Sequence, residues 1–483
     1  MKKILLLTIC ILLNNQYTTS QQFTENTEIS LTGILYGDVK WIDNNLNGND
    51  QLLISGYDAN YSPYSAMYSF ETENLGLLQL PIAPSYFSSI GKLDYNNDGI
   101  QDFLINGYDS NNDASCKLYI SDGNGSYTSQ NLSIPSTTNG KIKTEDLNND
   151  GLIDVIVTGS AEDYSYIAKL FIQNEDGNFI EAIVPFFGST YSSISTFDAN
   201  NDGHVDVLLT GFSNSYVPET KLYLNDGAAN FTESTTDPLT DVYFSTTSAA
   251  DYDNDNDIDI LISGFNASFT PYTVLYNNDG SGNFSEVTNV SLKQLYWGTS
   301  NFADYDNDGD LDIFLSGADA NTITYAKFYK NTNGIFTEDT NAEIGIYGTY
   351  VSAADWSDYD NDGDLDFVLS GLDSHSNAIT KVYTNQQESL SIDDFSFNNK
   401  LRIYPNPTTE KIVNLVYDES QLSNTAYTVS IFSSLGQKVF ETNLTYTSKI
   451  FKKAIDLTTL ESGIYLLQLT SGNQSVSKKL ILN

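Results

Sequence analysis

Asp251-Tyr-Asp-Asn-Asp-Asn-Asp-Ile-Asp259, running straight on into Ile260-Leu-Ile-Ser-Gly264, decides the fold of this chain. It places oxygen-bearing side chains at alternate positions, then three consecutive apolar residues, then a glycine. The same order occurs seven times. The loops open at Asp43, Asp94, Asp146, Asp198, Asp251, Asp304 and Asp358, and the closing glycines are Gly56, Gly107, Gly159, Gly211, Gly264, Gly317 and Gly371. Their near-constant long spacing is the mark of a repeat architecture.

Beyond Gly264 come Thr273-Val-Leu-Tyr276, an Asn/Asp/Gly turn, and Asn283-Phe-Ser-Glu286. Each repeat thus reads as four short strands separated by turns. The segment after the loop is apolar at three successive positions in every copy, from Leu52-Leu-Ile54 to Phe367-Val-Leu369. A continuous run, unlike an alternating one, is buried on both faces. A middle strand in a small sheet packed between two other sheets needs that pattern, and radial four-stranded sheets supply it. The expectation is an all-β fold, a seven-bladed β-propeller of four-stranded blades over residues 21–385. The seventh copy lacks its Phe-Thr-Glu segment, and Phe23-Thr-Glu25 stands at the other end of the chain, as far ahead of Asp43 as Phe284 is ahead of Asp304. Residues 22–27 are therefore predicted to complete the last blade and close the ring. Trp356-Ser-Asp358 reads as a three-residue insertion in the seventh copy.

Oxygen ligands at alternate positions suit a hard cation, Ca²⁺ above all. The predicted ligands sit at positions 1, 3, 5 and 9 of each loop. They are Asp94, Asn96, Asp98 and Asp102; Asp146, Asn148, Asp150 and Asp154; Asp198, Asn200, Asp202 and Asp206; Asp251, Asp253, Asp255 and Asp259; Asp304, Asp306, Asp308 and Asp312; and Asp358, Asp360, Asp362 and Asp366. The first loop, with Asp43, Asn45 and Asn47, has a single carboxylate and is the weakest set, so six sites are expected and a seventh is marginal. Position 7 ranges from His204 to Asp364, as it would if only its carbonyl is used. An EF-hand is excluded, because its bidentate Glu would fall on Ile262 and its counterparts inside a strand. At about 1 mM Ca²⁺, a site with Kd of about 10⁻⁴ M adds about 1.4 kcal/mol to stability. The expected role is structural.

The formal net charge is −41. Nine Lys/Arg against six Asp/Glu leave residues 395–483 at +3, so residues 1–394 carry −44. Such a surface excludes nucleic acid as a partner. Lys2-Lys3, the apolar run Ile4–Leu13 and the small-residue end Thr18-Thr19-Ser20 have the order of a secretory signal peptide over residues 1–20. The run is too short to span a bilayer. Outside it, Cys116 stands alone, which leaves metal ions as the staples of an exported fold.

The loop followed by an apolar strand and Gly resembles the FG-GAP/VCBS repeats, to which the integrin α-subunit propellers are related. The resemblance implies a Ca²⁺-stabilised propeller used in adhesion or ligand binding, with lectins and appendages of secreted enzymes among its relatives. The third copy departs from it: Thr138-Asn-Gly140 stands where other copies have Tyr191, Phe244 or Trp297. The C-terminal segment, residues 399–483, is different. Leu401-Arg-Ile-Tyr-Pro-Asn-Pro-Thr408, Ile431-Phe-Ser-Ser-Leu-Gly436, Leu460-Glu-Ser-Gly-Ile-Tyr-Leu-Leu-Gln-Leu469 and Lys478-Lys-Leu-Ile-Leu482 resemble the C-terminal sorting domain of type IX secretion cargo. That implies passage across the outer membrane by the type IX machinery, to the cell surface or beyond. Alternating apolar residues between turns make this segment a small β-sandwich, with 386–398 as linker.

Strand parity puts every metal loop on one face of the ring. The other face collects aromatics: Tyr57, Tyr61, Tyr64, Tyr164, Tyr166, Phe212, Tyr216, Phe265, Phe269 and Tyr272 between second and third strands, and Tyr86, Tyr191, Tyr243, Tyr296, Trp297 and Tyr350 before first strands. The second group is expected to wedge between blades, whereas the first is open to burial or to stacking on a sugar or protein partner. Catalysis has little support. The histidines are His204 and His375, and no nucleophile elbow, zinc motif or phosphate loop occurs. The reading is an exported Ca²⁺ propeller that serves as a binding or adhesion module for an extracellular glycan or surface protein. A polysaccharide-degrading propeller and a structural surface component remain the alternatives.

Overall fold

A computed structural model describes residues 22–43, 49–71, 76–235, 239–386, 401–404, 408, 411–418, 425–433, 438–446, 450–460, 463–471 and 474–482. The chain divides into two compact units, residues 1–387 and 388–483. The signal-peptide segment, Asn45, Asn47 and nearly all of the linker lie outside the described residues.

The fifth repeat shows how one sheet forms. Val242–Ala250, Asp259–Asn266, Pro271–Asn278 and Phe284–Glu286 pair antiparallel in chain order. Ile260, Leu261 and Ile262 are fully buried, because the second strand has a neighbour on each side and a sheet over each face. Among the described residues of the first unit, four four-stranded sheets are built this way, a fifth takes its outer strand from the start of the chain, and an eight-stranded sheet is two such units joined by the single pair Ile167↔Ser189. Apolar clusters lie between consecutive units. One holds Leu53 and Met67 against Phe103 and Tyr119, and another holds Trp41, Leu52 and Ile54 against Val368 and Val382. The second of these joins the first repeat to the last, so the sheets form a closed β-propeller.

The closure is made by β1 (Phe23–Glu25), which pairs with Ala378–Asn385 in the register Phe23↔Asn385, Thr24↔Thr384, Glu25↔Tyr383. Phe23 is fully buried, with its ring 5.2 Å from Phe328 and 5.0 Å from Phe367. The expected insertion in the seventh repeat is absent. Tyr350–Ser357 is eight residues long, as Tyr296–Ala303 is, and Ser357 pairs with Asp366 as Ala303 does with Asp312. Trp356 is partly buried and packs against Phe367 at the margin of the core.

The first strand of each repeat borders the axis, and it begins with a bulge. The register breaks between Leu35 and Asp38, Tyr86 and Ser89, Thr190 and Ser193, Tyr243 and Thr246, Tyr296 and Thr299, and Tyr350 and Ala353, and in the third repeat it shifts by one between the bridge Thr138↔Ser160 and the pair Ile142↔Val157. Within each break one residue takes the left-handed conformation, which costs a non-glycine residue roughly 1–2 kcal/mol. The bulge explains the repeat-closing glycine. A Cβ on Gly264 would meet the Tyr243 carbonyl at 2.9 Å, so the second strand has room only for hydrogen there.

The second unit, taken by itself, is a β-sandwich. Leu401–Tyr404, Ile412–Asp418 and Ile450–Asp456 form one sheet; Lys438–Tyr446, Thr425–Ser433, Gly463–Ser471 and Gln474–Leu482 form the other. Leu401, Val413 and Leu415 from the first meet Val429, Ile431, Leu467 and Leu469 from the second in one core.

Candidate metal loops and axial binding face

Each acidic loop is wound around its own carboxylates. The position 1 aspartate accepts from the backbone N–H of positions 5 and 6: Asp94 takes Asp98 N at 3.0 Å and Gly99 N at 2.8 Å, and Asp146, Asp198, Asp251 and Asp304 repeat the pair. Asp358 accepts from Gly363 N at 3.1 Å. The position 5 aspartate accepts from the N–H of position 7, as Asp202 does from His204. Asp43 is described at the start of the first loop, where its N–H donates to Gln101 Oε1 at 3.1 Å.

Position 9 is the most buried. Asp102, Asp154, Asp206, Asp259, Asp312 and Asp366 are fully buried. One carboxylate oxygen of each accepts a backbone N–H from the end of the third strand, as Asp259 does from Asn278 at 2.8 Å. In all but Asp366 the other oxygen accepts the N–H of loop position 2. Burial pushes these carboxyls up and the backbone donors pull them down, with neighbouring carboxylates adding to the rise. The outcome is about 6 for Asp102, Asp154 and Asp206, about 7 for Asp259, about 8 for Asp312 and about 9 for Asp366. A cation among these groups would remove the penalty.

The loops fall into two kinds. In the second, third and fourth, Asn96, Asn148 and Asn200 donate their amides to the position 5 carboxylates at 2.9 to 3.0 Å. In the fifth to seventh, position 3 is aspartate and no such amide stands within the set. Asp251, Asp253 and Asp255 bring oxygens within 4.8 Å of one another, as do Asp304, Asp306 and Asp308, and Asp358, Asp360 and Asp366. Asp253 Oδ1, Asp358 Oδ1 and Asp366 Oδ2 are buried without a hydrogen-bond partner. Three carboxylates with such oxygens fit an oxygen-seeking cation well. In the sixth loop the Lys330 amine bridges Asp306 and Asp308 from the next strand but one.

Sequence reasoning missed a belt of asparagines. Position 4 is Asn in the second to seventh loops, always at left-handed φ between 55° and 61°. Its amide reaches the following loop: Asn97 to Gly151 O, Asn149 to His204 Nδ1, Asn201 to Asp257, Asn254 to Asp310, Asn307 to Gly363 O, and Asn361 to Asn49 Oδ1 in the first loop. Its signal was present as an Asn that recurs without any role as a ligand.

On the opposite face, Tyr36, Phe87, Asn139, Tyr191, Phe244, Trp297 and Val351 are the left-handed bulge residues, with φ between 44° and 53°. Their side chains line a cup of about 90 Å³. Tyr191 lies 4.1 Å from Phe244 and 6.4 Å from Trp297, and Tyr36 lies 5.1 Å from Phe87 and 5.8 Å from Trp297, ring centre to ring centre. The expected wedges are therefore only part of the set. Tyr86, Tyr243 and Tyr296 do stack between sheets, Tyr296 at 3.8 Å from Phe265, whereas Tyr191 and Trp297 turn to the axis. Further out, Tyr61, Tyr164, Tyr216 and Phe269 occupy one equivalent turn position and are 65%, 86%, 75% and 70% exposed.

The recurrent loop and strand match the FG-GAP-like repeat in five overlapping segments, residues 94–157, 146–209, 198–262, 251–315 and 304–369, more than half of the chain. The chain belongs to the FG-GAP-like repeat family. Residues 402–483 match the secretion system C-terminal sorting domain. An FG-GAP-like propeller carrying that domain is exported across the outer membrane, to the cell surface or beyond, and engages the type IX secretion machinery. Among the described residues no helix is long and apolar enough to cross a membrane. No curated protein matches the chain. Solved structures similar to it include AofleA from Arthrobotrys oligospora (11% identity, 64% of this chain and 86% of that one, TM-score 0.38). A mutant Aleuria aurantia lectin in complex with alpha-methyl-L-fucoside is also similar (10% identity, 66% and 100%, TM-score 0.39). A glycoside hydrolase is a third (9% identity, 93% and 97%, TM-score 0.29).

Proposed function

We propose that this protein is an exported, Ca²⁺-braced seven-bladed propeller that acts as a binding or adhesion module, with a glycan or a surface protein as its ligand. The observation that carries the reading is the aromatic face. Four aromatics stand largely exposed at equivalent turn tips around a cup of strained axial aromatics. Side chains held at unfavourable φ in a ring, and large apolar rings left in water, are both expensive unless they are used. Aromatic faces stack on sugar rings and anchor protein partners.

Ca²⁺ in the fifth to seventh loops would rest on Asp251, Asp253, Asp255 and Asp259, on Asp304, Asp306, Asp308 and Asp312, and on Asp358, Asp360, Asp362 and Asp366. The second to fourth loops offer the same positions with Asn at position 3. The ion supplies positive charge that lets buried carboxylates stay ionised, and the loops then brace one edge of every sheet. Cleavage of residues 1–20 and a linker near 386–398 belong to the same proposal.

The test is a glycan array and a surface-protein capture assay with the full chain and its Trp297→Ala and Tyr216→Ala variants. Binding without turnover, weakened about tenfold or more by either substitution, is the expected result. Release of oligosaccharides from a bound polysaccharide would replace a binding module with an enzyme.

A further inference from the structure

We propose that the axial channel beneath the aromatic cup binds an anion, so that the ligand is an acidic saccharide bearing a carboxylate or sulfate group. This rests on the binding-module reading and adds the ligand's charge.

The chain has 22 Lys and Arg against 63 Asp and Glu, yet Lys40, Lys92, Lys141 and Lys143 all line one axial cavity of about 310 Å³. Lys40 is committed to Asp355, with Nζ 3.1 Å from Oδ1. Asp38, the carboxylate in the cavity lining, accepts the N–H groups of Val39 and Ile90 at 3.0 and 3.1 Å. Lys92 donates to the Trp41 carbonyl, a neutral partner, at 3.3 Å. Lys143 lies at the same height as Lys40, since each faces the middle residue of its repeat's apolar triplet, Ile156 and Leu53. Burial lowers its pKa, and Lys40 and Lys92 lower it further. Glu145 is the acidic neighbour that offsets this, but its carboxylate accepts from Thr196 Oγ1 at 3.0 Å. A half-buried ammonium repelled by two others is costly unless an anion joins it.

The route in is the segment that leads into the strand of Lys143. Asn139 is the polar break in the bulge ring, and it stands two residues before Lys141, which lines both the cup and the channel. A sugar ring on the axial aromatics can pass a charged substituent through that break. The nearest acidic loop opens at Asp146, three residues beyond Lys143 and about 10 Å along the strand, roughly one Debye length at physiological salt, so its carboxylates offset part of the attraction while the four lysines of the lining stand nearer the anion.

The experiment is a glycan array of neutral, uronate-bearing and sulfated glycans, read with the full chain in Ca²⁺ and with the double variant Lys141→Gln, Lys143→Gln. The best hit is then titrated calorimetrically at two salt concentrations. Acidic glycans are expected to dominate, with affinity falling as salt rises and at least tenfold in the variant, whose melting temperature is unchanged or higher. Which acidic class binds separates carboxylate from sulfate. Binding confined to neutral glycans, or acidic binding that the variant leaves intact, overturns the anion site and leaves the binding module standing. Binding to no glycan of any class overturns the site together with its glycan premise.

Discussion

Asp259 holds the backbone N–H groups of Asn278 and Tyr252, one on each carboxylate oxygen. Its place in the acidic run marked it as a cation ligand. Its grip on Asn278 N and Tyr252 N could not be read, because those donors come from a different strand and from the far end of the loop. Asp259→Ala leaves two buried N–H groups unpaired, and each such loss costs about 1–3 kcal/mol. Urea unfolding in Ca²⁺ should show a fall of that order, and Asp259→Asn, which keeps an acceptor oxygen, should lose less. Lys330 was equally hidden, since nothing in its own segment points to the sixth loop. Its amine competes with any cation for Asp306 and Asp308. Ion pairs this exposed are worth little, so Lys330→Met should tighten Ca²⁺ binding at that loop by up to about fivefold, measured by calorimetric titration.

At the level of the strand, the apolar triplets were enough to place every second strand, because burial on both faces leaves a pattern that alternation cannot imitate. The bulge that starts each first strand left no such pattern. Tyr243, Tyr296 and Trp297 read as aromatics of one group, yet the left-handed Trp297 turns to the axis beside Phe244 while Tyr243 and Tyr296 enter the sheet interface. Propensity disfavours a Trp or Phe at positive φ, so only the surrounding ring imposes it. β1, by contrast, was visible from the displaced Phe-Thr-Glu. Deleting residues 22–25 should uncover the edge of Ala378–Asn385 and the apolar surface against Phe328 and Phe367. Light scattering should then report self-association beyond that of the undeleted chain.

Across the whole molecule, the buried loop carboxylates tie stability to pH. Their folded pKa values, about 6 to 9, lie above the ordinary carboxylate value of 3.8. The folded state therefore holds more protons than the unfolded chain between those limits, and stability without metal must fall as pH rises through that window. Melting curves in chelator should drop from pH 4 toward pH 9. Curves in Ca²⁺ should stay nearly level, so the gap between them widens with pH. A constant gap would mean that the loops hold no cation.

The clasp at Phe23–Glu25 also orders events in time. The first strand to emerge must wait for the last strand of the seventh repeat, Ala378–Asn385, before it finds its partner. Relative to closing one repeat of about 50 residues, that wait costs about 2 kcal/mol of chain entropy. A chain cut short at a repeat boundary in between has complete repeats and no ring, and the apolar faces of its first and last sheets stay uncovered. Closure is thus a test of full length, passed only by a chain whose final repeat has arrived.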